Sequence, residues 1–229
     1  MAVITFASSR KATGKTTCAI LLATALAARG RFVTLVDGDP QQSLTVWHRQ
    51  AGAKASGLAL ATLPGAAGLS SLAREGRRAR HDVVIDLSTD RNAFLACALG
   101  VADHVVVPMP AEHLEGGGEP VLALLAAMQS RSAVRLTHSV LLSRLNPLVP
   151  ASLLAALRRA LAERGVPVLE TPVVERAAFA AMLQRGRMLE TELEGTVRPG
   201  QAIANAACVA TDLLKLLPGE IPAGTRTAA

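Results

Sequence analysis

Thr13-Gly14-Lys15-Thr16-Thr17 stands between the apolar run at residues 3–7 and a long Ala/Leu-rich stretch. A Gly-Lys-Thr turn in that position is suited to receiving phosphate. The N–H groups of the first helical turn have no intrahelical partners and carry the positive end of the helix dipole. Lys15 would place a mobile charge on the β- and γ-phosphates, and the Thr16 hydroxyl is the type of group that ligates Mg²⁺. The plainer alternative is a strand–helix turn with a solvated lysine. The residues before the turn are unusual. A full P-loop pattern has glycine five residues before Gly14, where this chain has Ser9, and Arg10-Lys11-Ala12-Thr13 offers no glycine either. A backbone that must wrap a phosphate is thereby denied the left-handed conformations that glycine adopts freely.

Two further segments carry acids at the ends of apolar runs. Val36-Asp37-Gly38-Asp39-Pro40-Gln41-Gln42-Ser43 places two carboxylates two residues apart, where one could orient an attacking water and the other support a metal shell. Asp-Gly and Asp-Pro are also turn-forming pairs, which is the structural alternative. His81-Asp82-Val83-Val84-Ile85-Asp86 ends four apolar or acidic steps on a carboxylate in the manner of a Walker B strand, with Asp86 reaching Mg²⁺ through water. Asp82 reads as a strand-entry residue instead.

The elements that must position these groups alternate regularly. Strands are expected at 3–7, 32–36, 58–63, 83–87, 104–108, 134–142 and 166–169. Helices are expected at 15–29, 42–51, 66–78, 91–99, 114–130, 150–164, 176–187 and 200–217. Such alternation predicts an α/β fold, a doubly wound, mostly parallel sheet with helices on both faces and ligands at the carboxyl ends of the strands. Gly30, Gly100 and Gly165 are placed to end helices, and Gly116-Gly117-Gly118 to form a loop. Residues 1–217 read as one nucleotide-binding domain and 218–229 as a flexible tail.

Composition narrows the setting. Of 229 residues, half are apolar but only 2% aromatic, so the core must be built from Ala, Leu and Val. The 24 basic against 18 acidic residues give a net charge of +6, and only four of the basic residues are lysine. That surplus permits a polyanionic partner without requiring one. Cys18, Cys97 and Cys208 have no paired spacing and read as small buried apolar residues in a reducing compartment. The five histidines show no metal spacing. A secretory leader and an eighteen-residue apolar run are both missing from the expectation, which is a cytoplasmic protein. Arg74-Glu75-Gly76-Arg77-Arg78-Ala79-Arg80 reads as a solvated loop, and Trp47 as a packing or partner-facing residue.

Taken with Ala102-Asp103-His104-Val105-Val106-Val107-Pro108, these motifs resemble the ParA/MinD family of deviant-Walker P-loop ATPases over nearly the whole chain. Asp39-Pro40-Gln41-Gln42-Ser43-Leu44-Thr45-Val46-Trp47 and Glu175-Arg176-Ala177-Ala178-Phe179-Ala180-Ala181-Met182 look closest to small ParF-like plasmid partition and VirC-type proteins. The resemblance implies a Mg·ATP-driven homodimer that binds double-stranded DNA without sequence preference. It also implies a partner protein that stimulates hydrolysis, and a nucleoid-associated location. Residues 10–17, which are Arg10, Lys11, Ala12, Thr13, Gly14, Lys15, Thr16 and Thr17, would then bind nucleotide. Asp39 would position the hydrolytic water, with Lys15 and Arg10 as the catalytic cations, and Thr16, Asp37 and Asp86 would serve Mg²⁺. Arg10 stands where the family has a signature lysine that crosses to the other subunit, and Lys11 and Ala12 replace two glycines. A guanidinium is a different group from an ammonium at a tight phosphate site. By position, Arg176 and Arg198 match DNA-contacting residues, with Arg185, Arg187 and Lys215 as neighbours. The short Leu213-Leu214-Lys215-Leu216-Leu217 end, halted by Pro218, gives no membrane-binding helix. Two rivals remain open at this level: a nucleotide-gated DNA-binding scaffold with little hydrolysis, and a small-molecule P-loop ligase or kinase.

Overall fold

Residues 3–7 alternate between the two faces of a sheet, and everything else in the architecture follows from covering both. The computed structural model describes residues 1–62, 67–87, 92–111, 120–131, 136–189 and 199–217. Among these residues are six strands: β1 (Val3–Phe6), β2 (Val33–Gly38), β3 (Leu58–Thr62), β4 (Asp82–Leu87), β5 (His104–Pro110) and β6 (His138–Ser143). They form one parallel sheet in the order β3-β2-β4-β1-β5-β6. Among the described residues there are also eight α-helices: α1 (Lys15–Ala27), α2 (Ser43–Ala51), α3 (Ala67–Ala79), α4 (Asn92–Val101), α5 (Pro120–Arg131), α6 (Ala151–Glu163), α7 (Ala177–Arg185) and α8 (Pro199–Lys215).

The side-chain period of two sorts the strands into two cores. Ile4, Phe6, Val84, Val106 and Leu141 pack with α1, α2, α7 and α8 on one face. Val3, Val83, Ile85, Val105, Val107, Val140 and Leu142 pack with α3, α4 and α5 and with Leu161 of α6 on the other. Burial on both faces explains why the strands read as continuous apolar runs. Helix α1 is apolar around its circumference and lies between the sheet and α8, so Cys18, Ile20, Leu22 and Leu26 are fully buried.

Several expectations need correction. The Arg74–Arg80 cluster is helical for most of its length, forming the end of α3, where Arg77 pairs with Asp103 at 2.8 Å. Gly100 lies inside the last turn of α4 and ends nothing, whereas Gly30 and Gly165 do adopt left-handed conformations beyond their helices. Only Cys18 is buried; Cys97 and Cys208 are exposed. The segment at 166–169 joins the edge of β6 through a single bridge at Val168, and the chain continues along that edge to a second bridge between Leu145 and Val174. Strand β6 starts at His138, later than expected. The triglycine loop and the tail from 218 onward lie outside the described residues.

Asp82 takes the strand-entry role. It is buried, accepts a hydrogen bond from the Ala2 N–H at 2.8 Å and pairs with Arg31 at 2.7 Å. Among the described residues no helix is long and apolar enough to cross a membrane.

Candidate nucleotide site

All six parallel strands release their chain at one edge of the sheet, and register decides which side chains meet there. Asp37 of β2 lies opposite Asp86 of β4, and Asp86 lies opposite Phe6 of β1, immediately before the loop at residues 8–14. The loop first turns at Ser8, whose Oγ accepts from the Arg10 N–H at 3.1 Å. It then passes through two left-handed residues, Ala12 (φ 57°) and Gly14 (φ 87°), before α1 begins at Lys15. Gly14 is required by this conformation; at Ala12 the same conformation costs about 1–2 kcal/mol. The start of α1 has neither a side-chain cap nor an acidic residue, which leaves its first-turn N–H groups suited to an anion. Lys15 is buried and its Nζ donates to the Arg10 carbonyl at 3.1 Å, so the ammonium is folded back over its own loop.

Beneath the loop, Thr16 Oγ1 donates to Asp86 Oδ2 at 2.6 Å. The other oxygen, Oδ1, is buried and has no hydrogen-bond partner among the described residues. Burial pushes the Asp86 carboxyl up to about 7; the Thr16 hydrogen bond opposes the rise, and the negative Asp37 and Asp39 add to it. A hydroxyl beside an orphaned buried carboxylate oxygen is a pair of hard oxygen donors that fits Mg²⁺. Asp37 is also buried, but its oxygens are engaged locally. Oδ2 accepts from the N–H and the hydroxyl of Thr45, each at 2.7 Å, and Oδ1 accepts from the Asp39 N–H at 3.1 Å. Asp37 therefore shapes the turn that presents Asp39, which is half-buried and lines the cavity.

That cavity, about 730 Å³, is walled on one side by residues 11–18 and by Asp39, Pro40, Gln41 and Ser43. Arg10 is exposed and is not part of the lining. The opposite wall was not anticipated: Ser143 and Arg144 follow β6, and Val173, Glu175, Arg176, Phe179, Ala180 and Leu183 follow from the next segment. Ser143 Oγ donates to the Thr13 carbonyl at 2.7 Å, and Arg144 donates to the Ala12 carbonyl at 2.9 Å. The rule that chemistry gathers just after each strand would have pointed to Ser143-Arg144, had it been applied to the sixth strand as it was to the first, second and fourth.

The anticipated basic band is distributed along α7 and α8. Arg176 caps α7 at its N-terminus and forms part of the cavity wall, donating to Gln201 at 2.8 Å. Arg185 is exposed at the other end of α7, about 13 Å away along the axis. The Arg187 carbonyl accepts from Trp47 Nε1 at 3.2 Å, and Lys215 in the last turn of α8 pairs with Asp212 at 2.9 Å. Arg198 lies outside the described residues. Trp47 is fully buried, which settles its role as a packing residue. Of the histidines, His104 is buried against Ser139 Oγ at 3.0 Å, and burial lowers its imidazole to about 4. No cluster of metal-ligating side chains of the His/Cys/Asp/Glu type occurs among the described residues.

A family model described as the CobQ/CobB/MinD/ParA nucleotide binding domain matches residues 4–189. The chain is 30% identical to Protein ParA of Rhizobium radiobacter over 223 residues, covering 95% of this chain and 98% of that protein. It is 36% identical to maintenance of carboxysome distribution protein A of Gloeobacter kilaueensis over 171 residues, covering 73% and 74% of the two chains. The fold is similar to that of the cell division ATPase MinD of Pyrococcus furiosus, with a TM-score of 0.68 at 18% identity over 94% of this chain and 99% of that one.

Proposed function

Because the chain belongs to the CobQ/CobB/MinD/ParA nucleotide-binding family, we propose that it is a ParA-like ATPase: it closes into a dimer on Mg·ATP, binds double-stranded DNA without sequence preference, and positions a plasmid or other cargo. The observation that carries this reading is the pairing of Thr16 with Asp86 directly beneath the uncapped start of α1, with one Asp86 oxygen buried and unpartnered.

In this reading the first-turn N–H groups of α1 bind the phosphates, and Lys15 leaves the Arg10 carbonyl to neutralise them. Thr16 and Asp86 would hold Mg²⁺, which would supply charge neutralisation at the phosphates. Asp37 fixes the β2–α2 turn so that the half-buried Asp39 orients the attacking water from the cavity side. Arg10 is exposed and does not line its own cavity, so in this reading it is available to contact the second subunit's nucleotide. The basic residues Arg176, Arg185, Arg187, Arg198 and Lys215 supply phosphate contacts to DNA, whose affinity falls with salt as counterions are exchanged. Roles in partition and carboxysome distribution, as named in the relatives, motivate a positioning role for this chain.

Measuring ATP binding and phosphate release on the same samples tests the site. Lys15→Ala should lose ATP binding. Asp39→Ala should keep ATP affinity within about threefold and lose phosphate release by about 100-fold or more. ATP binding without turnover in the unaltered protein would replace the ATPase with a nucleotide-gated DNA-binding scaffold. A burst of ADP that depends on a small carboxylate substrate, with no effect of DNA, would favour a small-molecule ligase or kinase.

A further inference from the structure

Two non-glycine residues at the cavity are held in left-handed conformations, and they are hydrogen-bonded to each other. Ala12 has φ 57° and Arg144 has φ 49°. The Arg144 guanidinium donates to the Ala12 carbonyl at 2.9 Å, and the same side chain is held from behind by Glu175 Oε1 at 2.9 Å. Its neighbour Ser143 donates to the next loop carbonyl, that of Thr13, at 2.7 Å from a fully packed position. A Cβ added to Gly14 would meet Ser143 Cβ at 3.8 Å and Arg144 Cγ at 3.9 Å, so the pair also packs against the loop at van der Waals distance. Two consecutive residues beyond β6 thus grip two consecutive carbonyls of the phosphate-binding loop.

We infer that Ser143 and Arg144 form an external brace that holds the glycine-poor loop in its phosphate-receiving shape, making Arg144 a positioning residue for nucleotide binding. The physical logic is a substitution of means. A glycine at position 12 would enter the left-handed region without steric cost, whereas alanine there must be held by its surroundings. Hydrogen bonds from a charged donor to a carbonyl are stronger than neutral ones. The Arg144–Glu175 pair is about half exposed and would contribute little by itself; its part is to aim the guanidinium. Strain at Arg144 has the same purpose, since its own left-handed backbone turns the side chain from the strand end back over the loop.

The test is a cycle of Arg144→Ala and Ala12→Gly, read in two ways. Hydrogen exchange of the amides at residues 9–14 is followed in nucleotide-free protein, and the dissociation constant for ATP with Mg²⁺ is measured in parallel. Arg144→Ala should speed exchange in the loop by about fivefold or more and weaken ATP about tenfold when residue 12 is alanine. In the Ala12→Gly background both effects should shrink to about twofold. Equal losses in the two backgrounds would overturn the brace and make Arg144 a direct nucleotide contact. Unchanged loop exchange in Arg144→Ala would overturn it as well. Only the affinity arm rests on the nucleotide reading of the cavity: loss of that reading would appear as no ATP binding by any variant, while the exchange arm still decides the brace. Glu175→Gln, which alters only the support behind Arg144, should give a smaller change of the same sign in both readouts.

Discussion

Asp86 is a carboxylate whose burial favours the protonated form in the folded chain. Its folded value of about 7 lies above the ordinary 3.8, so the folded state holds a proton that the unfolded state has released. Stability from this group is therefore complete below about pH 4 and lost as pH rises to about 7, on the order of 4 kcal/mol across the window. His104 acts in the opposite sense. Its imidazole is lowered to about 4, so stability is lost as pH falls from about 6.5 to 4, and the two effects partly cancel in the unaltered protein. Asp86→Asn isolates the first. Measured by urea denaturation, its stability relative to the unaltered protein should rise steadily between pH 4 and pH 7; a pH-independent difference would contradict the burial account. Ala12→Gly addresses the loop. It relieves a left-handed alanine at some cost in unfolded-chain entropy, so it should stabilise the protein by about 0.5–1 kcal/mol in the same assay. At this scale Gly14, Lys15, Thr16 and Asp86 were legible because their types and order follow strand ends. Arg144 was missed: its place just after the sixth strand was the one signal, and an arginine among twenty, with no companion at a telling spacing, did not draw attention to it. Nor could the sequence reveal that Ala12 takes the conformation whose glycine it lacks.

Helices α2 and α7 fix the two walls of the cavity relative to one another, and their contact is unusually close. Gly186 ends α7 with φ 58°, and a Cβ there would lie 2.0 Å from Gln50 Cβ on α2. Trp47 of α2 is buried beside it, with its indole N–H on the Arg187 carbonyl. Gly186→Ala should therefore destabilise by roughly 3 kcal/mol, from overpacking and left-handed strain together. The fluorescence of Trp47, the single tryptophan, reports the loosening at its source. Element assignment from periodicity succeeded where apolar runs were long and bounded, as for α1 and β4. It held for α3 as well, expected at 66–78, and the separate reading of the charged run at 74–80 as a loop failed because the helix simply turns that face to solvent. It failed at 166–169, because an apolar stretch that bonds to only one edge of the sheet looks in sequence like a full strand.

Across the whole molecule, α8 ties the far wall of the cavity to the rest of the fold. Asn205 accepts from the Val174 N–H and donates to the Pro172 carbonyl, each at 2.9 Å, while Asp212 accepts from the Thr171 N–H at 2.8 Å and holds Lys215. Lys215 of α8 and the far wall of the cavity are thus joined by hydrogen bonds, and under the proposed function this connection would link nucleotide occupancy to the basic surface. Asn205→Ala removes both of its bonds and should weaken ATP binding about 5- to 30-fold, or about 1–2 kcal/mol by titration, without touching the loop at residues 8–14. A net charge of +6 allows some DNA attraction in any state, so the decisive quantity is the difference between nucleotide states. The most direct measurement is retention on random-sequence duplex DNA at near-physiological salt with ATP and Mg²⁺, with ADP, and with no nucleotide. The account predicts retention with ATP alone, abolished in Lys15→Ala; equal retention in all three states would contradict it, leaving a basic protein that meets DNA by charge.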